Sequence, residues 1–555
     1  MKLEPNIWLW LIAFVPLGLL LFLMLFRRWG AAEAGVVGWM VTALIALTVF
    51  KLPVDAIGLK SVKGFFESIT IIYIILAAIL IYDVAKEANA FEPLQRGMTR
   101  IFAHPLLQIM AIGWVFGGFL QGITGFGVPV AVCAPLLIGI GVRPAYAVAI
   151  ALIGQAWNNT FGTLGAAWLG LEQVTKLSAD QSATTAWQTA LLILVVVVAS
   201  GFVISWMYGG FRGLREGLVA VLSISVAQGG VTIALAKWNP TLNGFAAGLA
   251  ALLVAAGLAR LPMYRRPSRV TNSRVLEPAH QADAMVAAPR AADTVSGGRH
   301  TSPPAPAAAP GGAMPMTLSA AFIPYGTLLV VTCVVLLVGP LNEVLSRPSV
   351  GLSFPSTNTG LGVVTEGSTE RFEFATHAGT LLLVTAVISY VVYRKRGHLD
   401  RGTWRRVLSS TVEKSVAPTI AVITLVGMAE VMQASGQAAV LATQVAVWTG
   451  GIYLLLAPMV GLFGTFITGS NMSSNLLFGN FQQATAQAGG LSTSAVLSAQ
   501  TAGAATASAI APSKILLGTT TAAIAGQEGK VLRLLLPFAV GVTLVVGLIT
   551  TFLLN

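Results

Sequence analysis

Long apolar runs separated by short polar interruptions set the pattern of this chain. Trp8–Phe26, Ile69–Tyr82, Ala190–Met207, Leu318–Val338 and Leu534–Leu554 approach or reach the ~18–20 residues that a helix needs to cross a bilayer. The pattern predicts crossings at 8–26, 36–50, 69–85, 145–165, 187–208, 217–235, 243–259, 318–338, 377–393, 415–433, 492–515 and 533–554. The stretches 106–141 and 450–488 are too rich in Gly, Pro, Ser and Asn for plain spans, and each predicts a re-entrant hairpin. The first run is followed by Arg27 and Arg28 and reads as a retained helix, not a cleaved leader.

The chain also repeats itself. Ala13-Phe14-Val15-Pro16-Leu17-Gly18 returns as Ala321-Phe322-Ile323-Pro324-Tyr325-Gly326, and Val41-Thr42-Ala43-Leu44-Ile45 as Val384-Thr385-Ala386-Val387-Ile388. Ser68, Asp83-Val84 and Phe116–Gly122 match Ser415, Glu430-Val431 and Phe463–Gly469 at a shared offset of 347. Matches in one order with a growing offset indicate a duplicated unit, with a long loop at about 339–376 in the second copy. The chain thus divides into a first repeat, 1–208, two linking helices in 209–259, a linker, 260–317, and a second repeat, 318–555.

Composition narrows the class. Only 10% of residues are charged, 55% are hydrophobic and the mean hydropathy is +0.79, against about 25% charged in soluble domains. Soluble enzymes and nucleic-acid binders are excluded, and the lack of alternating strands of about ten residues excludes an outer-membrane barrel. The net charge of +12 resides in loops. Arg27, Arg28, Lys86, Arg96, Arg100, Arg212, Arg215, Arg260, Arg394, Lys395, Arg396, Arg405 and Arg406 place those loops in the cytoplasm and both termini outside. The two copies then have opposite topology. Lys51, Lys60 and Lys63 fall outside in this scheme. The Pro/Ala/Arg-rich linker 260–317 is expected to be cytoplasmic and disordered. Cys133 and Cys333 lie in apolar runs as free thiols, and no His or Cys set suggests a metal.

Candidate chemistry lies where helices break. Non-helical backbone survives in hydrocarbon only beside protein or a water-filled cavity. Gln121-Gly122-Ile123-Thr124-Gly125-Phe126-Gly127 and Thr468-Gly469-Ser470-Asn471-Met472-Ser473-Ser474-Asn475 are such breaks, in equivalent places of the two copies. Half-helix N-termini carry roughly half a positive charge and suit a small anion. Paired breaks of this kind point to a secondary-transporter site. A second broken element follows in each copy: Asn158 and Asn159 in the first, and Ser513 and Lys514 after Pro512 in the second. Lys514 reads either as a buried partner for a carboxylate or as a lysine snorkelling to the interface. Asp83 and Glu430 read as interfacial and solvated, with a proton relay as the alternative. Lys514, Glu430 and Asp83 are the coupling candidates.

Phe119-Leu120-Gln121-Gly122-Ile123-Thr124-Gly125-Phe126-Gly127-Val128-Pro129-Val130-Ala131 resembles the FLEG-x-x-GFG-x-PVA signature of the bacterial L-lactate permease family. Phe466–Asn475 resembles that family's F-x-TGS-D/N-x-x-SN segment, and Ala511–Lys514 with Ile524–Gly529 its C-terminal region. The resemblance implies proton-driven uptake of L-lactate, D-lactate, glycolate or a related 2-hydroxy monocarboxylate across a bacterial inner membrane. It also implies an elevator-like motion of the hairpins. Gln121 stands where well-known members carry Glu, and Asn471 where they often carry Asp. Both changes make the site less negative.

The sequence therefore reads as an all-α polytopic membrane protein and not an enzyme. It is expected to be an inverted-topology repeat secondary transporter with about 12 transmembrane helices plus two re-entrant hairpins. The expected partners are a small organic anion and the lipid bilayer, with no nucleic acid and with a homo-oligomer left open. No cofactor is expected, since a proton gradient, or a sodium gradient, supplies the energy. The alternatives are a sodium-coupled carrier of another organic anion and a channel or signalling membrane protein.

Overall fold

The computed structural model describes residues 7–27, 29–125, 127–266, 268, 270, 273–277, 316–400 and 402–554. Most of the linker expected to be disordered lies outside the described residues. Ten helices among those described are long and apolar enough to cross a membrane, or eleven if the bent pair Ile323–Val335 and Gly339–Ser346 forms one span. One of them, Ala179–Ala236, contains non-helical Gly209 and Gly210. The chain folds back there, bringing Gly229 against Leu194. The ten count folded-back Ala179–Ala236 once and include Pro105–Ile123 and Gln437–Thr468, from the two hairpin stretches, while the expected crossings near 145–165 and 492–515 are interrupted helices.

The helices form two groups. In the first, Thr403–Ser435 packs along Val54–Glu87 and Ala31–Thr48, with Ile7–Leu25 and Ala378–Lys395 beside them. Without a hydrophobic drive between helices in lipid, small residues allow close approach. A methyl on Gly64 would sit 2.8 Å from the Gly427 Cα, so these two helices cross backbone to backbone. The second group holds the two hairpins and the interrupted helices. The first hairpin is Pro105–Ile123 followed by Val128–Gly139, and the second is Tyr453–Thr468 followed by Asn471–Ala488. Pro144–Ala156 and Gly162–Thr175 form the first interrupted helix, Thr493–Ala507 and Pro512–Thr521 the second. The limbs of Ala179–Ala236, Pro240–Leu258 and Glu528–Ile549 surround them.

Three expectations need correction. The stretch 339–376 is not a plain loop. It carries helix Gly339–Ser346 and two small antiparallel sheets, in which Ser349–Phe354 pairs with Ser368–Glu373. Lys60 and Lys63 are not loop charges, since both are buried within Val54–Glu87. Asp83 and Glu430 are buried rather than solvated, because each has an ammonium partner. Asp83 takes Lys414 and the Thr411 hydroxyl, and Glu430 takes Lys63 at 3.1 Å.

Candidate functional site

Each hairpin turns on a left-handed glycine. Gly127 has φ 86° and caps Val128–Gly139, while Gly469 has φ 77° and ends Tyr453–Thr468. A side chain would strain either position, which explains glycine at both turns. The helices that start at the breaks are set up locally. Pro129 and Pro512 lie in first turns, where their fixed φ suits the helix and no N–H is missed. The Ser470 hydroxyl caps Asn471–Ala488 by accepting from the Ser473 N–H.

Four helix N-termini meet around one cavity of about 610 Å³. They are those of Val128–Gly139, Gly162–Thr175, whose right-handed part begins after Gly165, Asn471–Ala488 and Pro512–Thr521, represented in the lining by Val128, Ala166, Asn471 and Ser513. The first amides of a helix have no intrahelical acceptor and carry its positive dipole end. From the first group, Tyr82, Lys86 and Lys414 complete the wall, so the cavity lies between the two groups. Exposed Lys86, Ser513 and Thr521 mark its mouth, while Gln121, Asn159 and Asn471 are buried. Its described lining residues include three lysines and no Asp or Glu.

Lys514 is buried, not snorkelling, and its Nζ donates to the Asn159 Oδ1 at 2.8 Å. Asn159 is aimed by its own amide group, which donates to the Gln155 and Ala156 carbonyls at 2.9 and 3.1 Å. The Gln121 Oε1 and Asn471 Oδ1 are buried and accept no hydrogen bond from the protein. The Asn471 Nδ2 donates to the Thr160 hydroxyl at 3.0 Å, and Thr160 in turn meets Thr501, so the second hairpin is tied to both interrupted helices. Thr163 and Leu164 precede Gly165 in the left-handed region, with φ 52° and 47°. Strain of this kind costs of order 1–3 kcal/mol per residue and persists where the surroundings impose it.

Of the sequence-derived candidates, the structure places Gln121, Gly127, Asn159, Gly469, Ser470, Asn471, Ser513 and Lys514 on the cavity. The others face elsewhere. Gly122 packs against Gly244 and Phe245, and Thr124 bonds the Leu120 carbonyl. Gly125 sits against Thr163. Asn158 donates to the Gly118 and Gly244 carbonyls. Thr468 bonds the Gly464 carbonyl, Ser473 extends the cap, Ser474 bonds Gly461, and Asn475 ties Ala167 to Thr501. Asp83 touches the site through Lys414, and Glu430 belongs to a separate cluster. Sequence reasoning missed Tyr82, Lys86 and Lys414, while Thr163 ends the broken element Gln155–Thr163 that the sequence marks. Lys414 carried a signal, being a lysine within reach of an apolar helix that holds Asp83.

Membrane-length helices around a basic cavity built from interrupted helices define the class, a multi-pass membrane permease. A family model described as L-lactate permease matches residues 10–555, and the chain belongs to that family. It is 27% identical to the L-lactate permease of Salmonella typhi, over 98% of this chain and 96% of that protein. It is 26% identical to the glycolate permease of Escherichia coli, over 97% and 94%. The Alcanivorax borkumensis YdaH transporter structure aligns over 93% of this chain and 97% of that one, at 12% identity and a TM-score of 0.45.

Proposed function

We propose that this protein is a secondary active transporter that imports L-lactate, D-lactate, glycolate or a close relative by proton symport, with its two repeats in opposite topology. One observation carries the reading: buried Lys514 lines a cavity whose described lining residues include no carboxylate, at the meeting point of four helix N-termini. A buried cation needs a counter-ion, and a substrate carboxylate supplies it. The Gln121 Oε1 and Asn471 Oδ1, which lack donors, receive the substrate hydroxyl. Gly127 and Gly469 let backbone amides approach the anion closely, and Ser470 and Ser513 add hydroxyls.

The L-lactate and glycolate permeases among its relatives support this substrate class. Charge balance favours proton symport. Moving one negative charge into a negative-inside cell costs about 2.3 kcal/mol per 100 mV, and a proton carried with it cancels that cost. The basic loops set the orientation, with the cavity mouth toward the cytoplasm of a bacterial inner membrane. No resident cofactor takes part. Uptake of labelled lactate and glycolate into proteoliposomes tests the reading. Accumulation driven by an inward proton gradient, indifferent to exchange of sodium for potassium, is expected. Loss of uptake on removing sodium would replace the proton by sodium, and no uptake of either acid would overturn the substrate class.

A further inference from the structure

Away from the cavity mouth lies a second set of charges that the transport reading does not use. Lys60, Lys63 and Glu67 share one face of Val54–Glu87 at helical spacing. Lys63 Nζ lies 3.1 Å from Glu430, 3.8 Å from Glu67 and 3.7 Å from Glu370 of strand Ser368–Glu373. Lys176 pairs with Glu67 and lies 3.6 Å from Glu370. Lys176 alone comes from the second group of helices, as the left-handed C-cap of Gly162–Thr175, with φ 48°.

This pairing seals the end opposite the mouth. Along Gly162–Thr175, Gly162, Thr163, Ala166 and Ala167 line the cavity, and then the lining stops. Leu171 and Val174 are fully buried and pack over Gly479 of the second hairpin. From Ala167 to Lys176 the helix rises roughly 13 Å at 1.5 Å per residue. One helix therefore carries the cavity at its start and the charged seal at its end. The cluster is also unsaturated, since Lys60 Nζ and Glu67 Oε2 are buried without hydrogen-bond partners. A purely structural network normally satisfies its buried polar atoms.

We propose that Lys176, held by Glu67 and Glu370, is the gate on the side opposite the mouth, closed here and obliged to part before substrate enters from that side. The proposal rests on the carrier reading and not on the identity of the substrate. Two experiments test it. In a background lacking Cys133 and Cys333, Glu67→Cys with Lys176→Cys is bridged by a short reducible bis-thiosulfonate. Counterflow of labelled lactate should stop on bridging and return on reduction, and unchanged counterflow in the bridged protein would overturn the gate. The second needs no substrate. In the same background, Val174→Cys should react with a membrane-impermeant maleimide from the Lys176 side about fivefold faster when Lys176→Gln is added, the shift expected for loss of a partly exposed ion pair. Equal labelling with and without Lys176→Gln would refute the proposal, even if lactate proves not to be the substrate.

Discussion

The ammonium of Lys514 donates to the Asn159 Oδ1 at 2.8 Å, joining the breaks of two interrupted helices 355 residues apart in sequence. The bond points the cation at the cavity and leaves it without a carboxylate. Replacement by Gln keeps a donor for Asn159 and removes the charge. Charge-assisted hydrogen bonds are worth about 1.5–3 kcal/mol. Lys514→Gln should therefore raise the half-saturation concentration for lactate by roughly 10- to 100-fold, read from initial uptake rates. An unchanged value would take Lys514 out of the site.

Asn471 lines the cavity and bridges from the second hairpin to Thr160, while its Oδ1 is buried without a donor. Asn471→Ala should reduce uptake to background. Thr160 keeps Thr501 as a partner, so the variant should remain monodisperse, with a thermal midpoint within a few degrees of the parent, as expected for loss of about 1 kcal/mol. Transport at the parental rate would exclude the second hairpin break from substrate binding.

The breaks were legible because Gly, Pro, Ser and Asn have no cheap place in a lipid-facing run. The facing of each polar residue was not. Asn158 and Asn159 are adjacent, yet one bonds the Gly118 and Gly244 carbonyls and the other meets Lys514. Ser470 and Asn471 line the cavity, whereas Ser474 and Asn475, four positions on, hold helices together. Close packing decides which face looks where, and a single sequence does not record it. Tyr82, Lys86 and Lys414 escaped notice because they belong to the other group of helices, brought to the site only by tertiary association. Lys63 and Glu67 did carry a local signal, an i,i+4 pair inside an apolar helix. The pair stands before the long apolar run Ile69–Tyr82, where Lys60 and Lys63 read as loop charges.

The left-handed turn at Gly469 gives a controlled comparison. Alanine there meets a backbone penalty of about 1–2 kcal/mol, and its methyl would lie 2.5 Å from the Ser513 hydroxyl. Gly490, with φ 64°, has open space around the same position. Both alanine variants should lose several degrees of thermal midpoint, but only Gly469→Ala should lose uptake. Equal uptake in the two would show that the approach of Gly469 to Ser513 does not matter for transport.

His377 predicts the sign of the pH dependence of stability. Its Nδ1 accepts from the Gly379 N–H at 3.1 Å and so caps Ala378–Lys395, while its ring stacks on Tyr73 and lies 4.9 Å from Phe372. Burial disfavours the imidazolium and lowers its pKa from 6.5 to about 4. The unfolded chain then binds more protons than the folded one between those values, so stability rises with pH across that window. The contribution is complete above about pH 6.5 and is lost as the pH falls toward 4. His377→Asn retains an acceptor for the cap without a titrating group. Thermal midpoints in detergent should fall more steeply for the parent than for His377→Asn between pH 6.5 and 4, and converge to a constant offset above it. Parallel curves through the window would mean that His377 is as free to ionise in the folded protein as in the unfolded chain.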